Sequence, residues 1–207
     1  MAVDVDSKYI INIFPYLGKN NERPAKERLG DFVVKKLVDP YLNRGRNVTC
    51  DNFFTSLELA KFLKSKKTSL VGTVNKARRE VPICVKNAKE KLYFTKAFKS
   101  DDITLTVYQG NTKKNVVLLS SMLRDVRTGN DKKSKPETVS FYNSTKYGVD
   151  VVDQMSGINA WVLYKELTKE KISRREFLFK LGEELAKEYV EKKSANANLP
   201  VSGAGGS

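Results

Sequence analysis

The chain has 207 residues, about one domain with something attached at the usual size of ~150 residues per domain. Lys plus Arg total 38 against 24 Asp plus Glu, a net charge of +14, and hydrophobic residues make up 40%, enough for a packed core. Histidine is absent, which excludes serine–histidine and cysteine–histidine catalysis and any zinc site that needs imidazole. The two cysteines, Cys50 and Cys84, form no CxxC pair and no disulfide framework. No apolar run is long enough to cross a membrane, and charge at residue 4 argues against a secretory leader. The expectation is a basic protein of a reducing compartment with anionic partners, nucleic acid first among them.

In chain order, residues 1–5 and 8–16 read as a hairpin-like pair of strands around Ser7. Asn20, Asn21 and Pro24 mark a loop. Leu29, Phe32, Val33 and Leu37 recur at helical spacing, so residues 25–38 are expected to form an amphipathic helix that stops at Asp39-Pro40. Residues 47–51 read as a short strand, and the quartet Thr55-Ser56-Leu57-Glu58 as a capping box opening a helix to Lys66. Residues 70–74 form another strand, giving an α/β alternation.

Residues 76–137 hold three strand-like runs, LYFTKAF, ITLTVYQG and KKNVVLLSSM, expected to be a β-rich antiparallel insertion closed by the basic loop 127–136. A last strand is expected over Thr138–Tyr142, then helices over about 150–168 and 173–192, the second capped by Ser173. The tail 194–207 has almost no large apolar residue and reads as disordered.

With imidazole and thiolate sites excluded, the metal chemistry left open is magnesium held by carboxylates, which suits hydrolysis or transfer at phosphodiesters. Three places supply acids on rigid elements. Asp4 and Asp6, at i and i+2, turn to one face of the first strand. Asp51 ends a strand, where ligands gather in open α/β sheets. Asp150 and Asp153, at i and i+3, share a helix face. Each has a structural alternative as turn residue, helix cap or partner of the helix dipole.

The run Cys50-Asp51-Asn52-Phe53-Phe54-Thr55-Ser56, the stretch from Tyr142-Asn143 through Lys146-Tyr147-Gly148-Val149-Asp150-Val151-Val152-Asp153-Gln154-Met155, and Tyr9-Ile10 with Pro15-Tyr16-Leu17-Gly18 resemble the piggyBac transposase family. Gly72-Thr73-Val74 with Arg79-Glu80-Val81-Pro82 fits the same series in the same order, and the resemblance covers roughly residues 1–193. It implies a ribonuclease H-like mixed sheet flanked by helices, with residues 1–75 and 138–193 as a discontinuous core around the β-rich insertion. It further implies DDE-type, two-metal DNA strand cleavage and transfer. Asp51 and Asp150 match two of the family's catalytic, metal-holding acids, Asp153 an additional motif acid, and Asp4 rather than Asp6 the first acid, counted back from Tyr9.

The implied cofactor is magnesium or manganese, the partner DNA, the assembly a homodimer or association with a full-length relative, the location nuclear, with no membrane. Lys76, Arg78, Arg79, Lys132, Lys133, Arg174 and Arg175 are the candidate DNA-binding cations, with Lys64, Lys66, Lys67 and Lys135 beside them. Against the family the chain is expected to be truncated at its start, to lack a segment between Met155 and Ser156, and to lack a C-terminal zinc module. Those departures lead to the expectation of lost catalysis, and to the alternative of a non-catalytic remnant that binds DNA or a partner.

Overall fold

The computed structural model describes residues 1–15, 23–130 and 132–197. The Tyr16-Leu17-Gly18 part of the motif series, the loop residues Asn20 and Asn21, and residues 198–207 of the expected tail lie outside them. By its internal contacts the chain divides into two units, Met1–Asp150 and Val151–Ser207.

In the first unit a short hairpin precedes the main sheet. Strand β1 (Ala2–Val3) pairs antiparallel with β2 (Ile10–Asn12), as the sequence leads one to expect, over a shorter span. Helix α1 (Leu29–Val38) ends at Asp39, where Pro40 sits in a 3-10 turn (Asp39–Tyr41). It begins four residues later than expected, because Arg28 is extended and residues 24–27 form a turn. Strand β3 (Asn47–Cys50), helix α2 (Leu57–Ser65) and strand β4 (Ser69–Thr73) form a parallel β-α-β unit. Ser56, not Thr55, caps α2: its Oγ accepts the Leu59 amide at 3.0 Å. Thr55 is buried and donates instead to the Asp51 carbonyl at 2.7 Å.

A four-residue helix, α3 (Ile83–Lys86), precedes three antiparallel strands, β5 (Thr95–Ser100), β6 (Ile103–Tyr108) and β7 (Val116–Ser120). All three expected strands of residues 76–137 form, and they join β3 and β4 in one mixed sheet of order β3-β4-β7-β6-β5. Alternation along the strands sends Val107 and Leu119 to the face packed with Val34, Val38, Leu59 and Leu63. Tyr108 and Leu118 go to the other face, packed with Val139. The sheet is therefore flanked by helices on both faces, the ribonuclease H-like arrangement that the sequence implies.

The strand expected over Thr138–Tyr142 is instead part of helix α4 (Glu137–Thr145). Pro136 supplies an extended N-cap, Glu137 stands in the first turn where it favours the helix dipole, and Thr138 and Val139 are buried. A window of five residues was too short to separate the two periods. Helix α5 (Gly148–Thr168) runs unbroken through the Met155–Ser156 junction.

In the second unit, α5 and α6 (Arg174–Ala197) are joined through contacts of their own. The Trp161 Nε1 donates to the Ile172 carbonyl at 3.0 Å, and the Tyr164 and Phe177 rings lie 5.2 Å apart. Ser173 caps α6 as expected, its Oγ accepting the Glu176 amide at 3.2 Å. Residues 194–197, expected in a disordered tail, continue this helix.

Candidate functional site

Strand β3 is the end strand of the five-stranded sheet, and beside it lies a cavity of about 500 Å³. Its walls come from the β1–β2 hairpin through Val3, Val5 and Ile11, from α1, from β3 and Asp51, and from Tyr142 to Asp150 across α4 and the start of α5. The hairpin is tied to the end of α1: Asn12 Nδ2 donates to the Leu37 carbonyl at 2.8 Å, and the Tyr41 hydroxyl to the Ile11 carbonyl at 2.7 Å. On the opposite wall, the Thr49 hydroxyl of β3 meets the Thr145 hydroxyl of α4 at 2.9 Å.

Asp51 and Asp150 both line this cavity. Asp51 follows β3 directly, and its Oδ1 accepts the Phe53 and Phe54 amides at 3.0 and 3.3 Å. Its Oδ2 takes no hydrogen bond among the described residues. Asp150 stands in the first turn of α5. Tyr142 lies between their fields: burial first, then the charges of Asp51, Cys50 and Asp150, push its phenol up, against a lowering hydrogen bond with Thr73.

The loop carrying Asp51 is braced from behind. Arg78 donates to the Asn52 and Phe53 carbonyls at 2.7 and 2.8 Å, and Arg28 to the Phe53 carbonyl at 3.1 Å. Arg28 also pairs with the buried Asp31 at 3.1 Å, whose Oδ1 accepts the Ser56 hydroxyl at 2.8 Å. Gly30 allows the close approach, since a Cβ there would meet the Phe53 carbonyl oxygen at 2.9 Å. Composition and motif spacing did not single out Arg28 or Asp31. Their only sequence signal is an acidic residue in the first turn of an apolar helix, and Ser56 lies 25 residues away.

Asp4 is placed differently. Val3 and Val5 face the cavity, and Asp4, between them, is not among its lining. Its Oδ1 accepts the Ser7 amide at 2.8 Å and the Ser7 hydroxyl at 2.6 Å. Those two bonds hold the carboxyl below its ordinary range. Asp6 is exposed in the same turn. Among the described residues no three acids or thiols gather as a metal-ligand group. The hard oxygens of Asp51 and Asp150 suit one magnesium or manganese ion, which commonly takes one or two carboxylates plus substrate phosphates. Asp153 is exposed on α5, in the second unit.

Of the candidate DNA-binding cations, Arg78 is committed to the Asp51 loop and also faces Glu80 at 3.7 Å. Arg79, Lys132 and Lys133 are exposed, as are Arg174 and Arg175 at the start of α6. Lys76 lines a second cavity, beside residues 86–90. Lys64 pairs with Asp102.

Comparison with known proteins identifies the class. Residues 1–173 match the family model described as Transposase IS4. A cryo-EM structure of a piggyBac transposase synaptic complex with hairpin DNA matches with TM-score 0.68 at 31% identity, over 96% of this chain and 47% of that one. The chain belongs to this transposase family, in its piggyBac branch, and spans about half the length of the piggyBac transposase it matches. No described helix is long and apolar enough to cross a membrane.

Proposed function

We propose that the protein engages DNA through its transposase core, and that Asp51 and Asp150 are the carboxylates through which it would hold magnesium or manganese against a phosphodiester. The observation that carries this reading is the shared cavity of the two acids, set at the end of β3 in a transposase-family sheet. Through a divalent ion the site would gain Lewis-acid polarisation of a phosphate and a bound water of lowered pKa. The protein's own part is to aim the Asp51 Oδ2 by fixing Oδ1 on two amides, and to hold Asp150 on a helix start.

DNA strand cleavage and transfer of the family's kind would add Asp4 as third acid and Asp153 as an accessory one. For Asp4 that would require its carboxylate to turn into the cavity, whose lining it does not join. The absence of Asp4 from that lining favours a second reading, a non-catalytic DNA- or partner-binding remnant. A nuclear location, and pairing with a second copy or a full-length relative, belong to the same proposal.

A nicking assay on supercoiled plasmid in magnesium or manganese, run beside duplex binding, tests it. Nicking lost in Asp51→Asn and in Asp150→Asn supports the catalytic reading. Binding without nicking, unchanged in those variants, supports the second. A folded protein that binds no duplex at about 50 mM salt removes the catalytic reading and the DNA-binding form of the second.

A further inference from the structure

A second cavity, about 820 Å³, lies between residues 86–90 and the β6–β7 turn, with Lys76 at its edge. Five lysines line it, Lys76, Lys86, Lys89, Lys113 and Lys114, against a single carboxylate, Glu90. Glu90 already faces Lys96 at 3.6 Å. Lys86, Lys89, Lys113 and Lys114 have no carboxylate within ion-pair distance among the described residues. So many like charges around one concavity repel one another, and an anion between them relieves that repulsion.

The floor beneath the lysines is built from buried amides. Asn115, 7% exposed, donates Nδ2 to the Ala88 carbonyl at 2.7 Å and accepts the Lys76 ammonium at Oδ1. Gln109, 5% exposed, donates Nε2 to the Asn111 carbonyl at 2.7 Å, and its Oε1 accepts the Glu90 amide at 3.4 Å. These bonds fix the two walls relative to each other and hold Lys76 where burial lowers its pKa. Among the lining residues none is aromatic, so no platform exists on which a base could stack.

We propose that this cavity seats backbone phosphates of a DNA strand, as a sequence-indifferent contact outside the Asp51–Asp150 pocket. It rests on the DNA reading above and extends it to the lysines beside the β6–β7 turn. Lysine suits the role as a mobile point charge, and the missing aromatic lining makes the contact blind to sequence.

The test uses the full chain, a labelled duplex of arbitrary sequence and a salt series. One variant carries Lys86→Gln, Lys89→Gln, Lys113→Gln and Lys114→Gln, leaving Lys76 to hold the floor. A control of equal charge change carries Lys26→Gln, Lys61→Gln, Lys171→Gln and Lys187→Gln, all on exposed positions. Circular dichroism confirms that both fold. The cavity variant should bind about tenfold more weakly than the control, with a salt slope shallower by roughly 0.9 per lost phosphate contact. Equal loss in the two variants overturns the cavity while leaving the DNA reading standing. No duplex binding by the wild type overturns both. Inorganic triphosphate that binds the wild type but not the cavity variant, with duplex binding unchanged between them, assigns the lysines to a free polyphosphate and also overturns the proposal.

Discussion

The Asp51 carboxylate divides its oxygens between two tasks. Oδ1 closes the turn after β3 on the amides of Phe53 and Phe54, while Oδ2, on a side chain that lines the cavity, takes no hydrogen bond among the described residues. Arg28 and Arg78 lock the carbonyl side of the same turn. Replacing both with Ala should destabilise the fold by about 1–3 kcal/mol, because carbonyls lose charged donors that water only partly replaces. Lys at both positions should not restore it, since one ammonium cannot reach both Asp31 and the Phe53 carbonyl as the Arg28 fork does through Nη1 and Nη2. Urea denaturation of the three proteins measures this, and full rescue by Lys would contradict it.

The two thiols supply another residue-scale prediction. Cys50 is buried, and desolvation with the nearby Asp51 and Asp31 charges pushes its thiol up to about 12, whereas Cys84 is exposed. At pH 8 a thiol reagent should modify one cysteine in the native protein and both after unfolding, with Cys84→Ser abolishing the native reaction. The raised Cys50 value also has a thermodynamic sign. Its contribution to stability is complete below the unfolded value of 9.0 and is lost as pH rises toward about 12. Urea midpoints of the wild type should therefore fall more steeply above pH 9 than those of Cys50→Ala. Parallel slopes would contradict the assignment.

Between elements, β3 and β4 meet closely at Gly72. Cys50 stands opposite Gly72, and a Cβ on Gly72 would come within 2.6 Å of the Cys50 carbonyl oxygen and also strike Thr55. Gly72→Ala should cost about 1–3 kcal/mol through overpacking, read as a lowered urea midpoint. An unchanged midpoint would mean that the two strands are not pinned together at this level.

Local pattern sufficed for α1 through the helical spacing of Leu29, Phe32, Val33 and Leu37, for α2 through the Thr55–Glu58 quartet, and for the strands through short apolar runs rich in β-branched and aromatic residues. It failed at Thr138–Tyr142, where five β-prone residues fold as α4 because Pro136 starts a helix and the covered face of the sheet buries Thr138 and Val139. At α2 the capping box was legible but shifted by one residue, since Thr55 is drawn into the Asp51 turn and leaves the cap to Ser56. For the site, Asp51 and Asp150 could be located by motif, whereas the hold on Asp4 depends on Ser7, whose only sequence signal is a polar turn between two strands. The Arg28–Asp31–Ser56 brace was not legible, because its members are joined only by tertiary structure.

At the scale of the whole molecule, a surplus of fourteen positive charges dominates what the protein meets at a distance. Duplex binding should be insensitive to sequence and should weaken steeply between about 50 and 200 mM salt, the signature of counterion release. A Kd that stays constant across that range would remove the electrostatic basis for a DNA partner. Under the proposed function the same charge would draw phosphates toward an acid pair neutralised by a divalent ion, and two acids in one cavity would matter more than either alone.

Manganese binding to the intact chain, followed by the loss of the free-ion electron paramagnetic resonance signal, reads that pairing without requiring catalysis. Asp51→Asn and Asp150→Asn should each weaken binding by about tenfold or more, while Asp4→Asn leaves it unchanged. Binding that survives both of the first two substitutions, or that vanishes with the third, would contradict a cation site shared by Asp51 and Asp150.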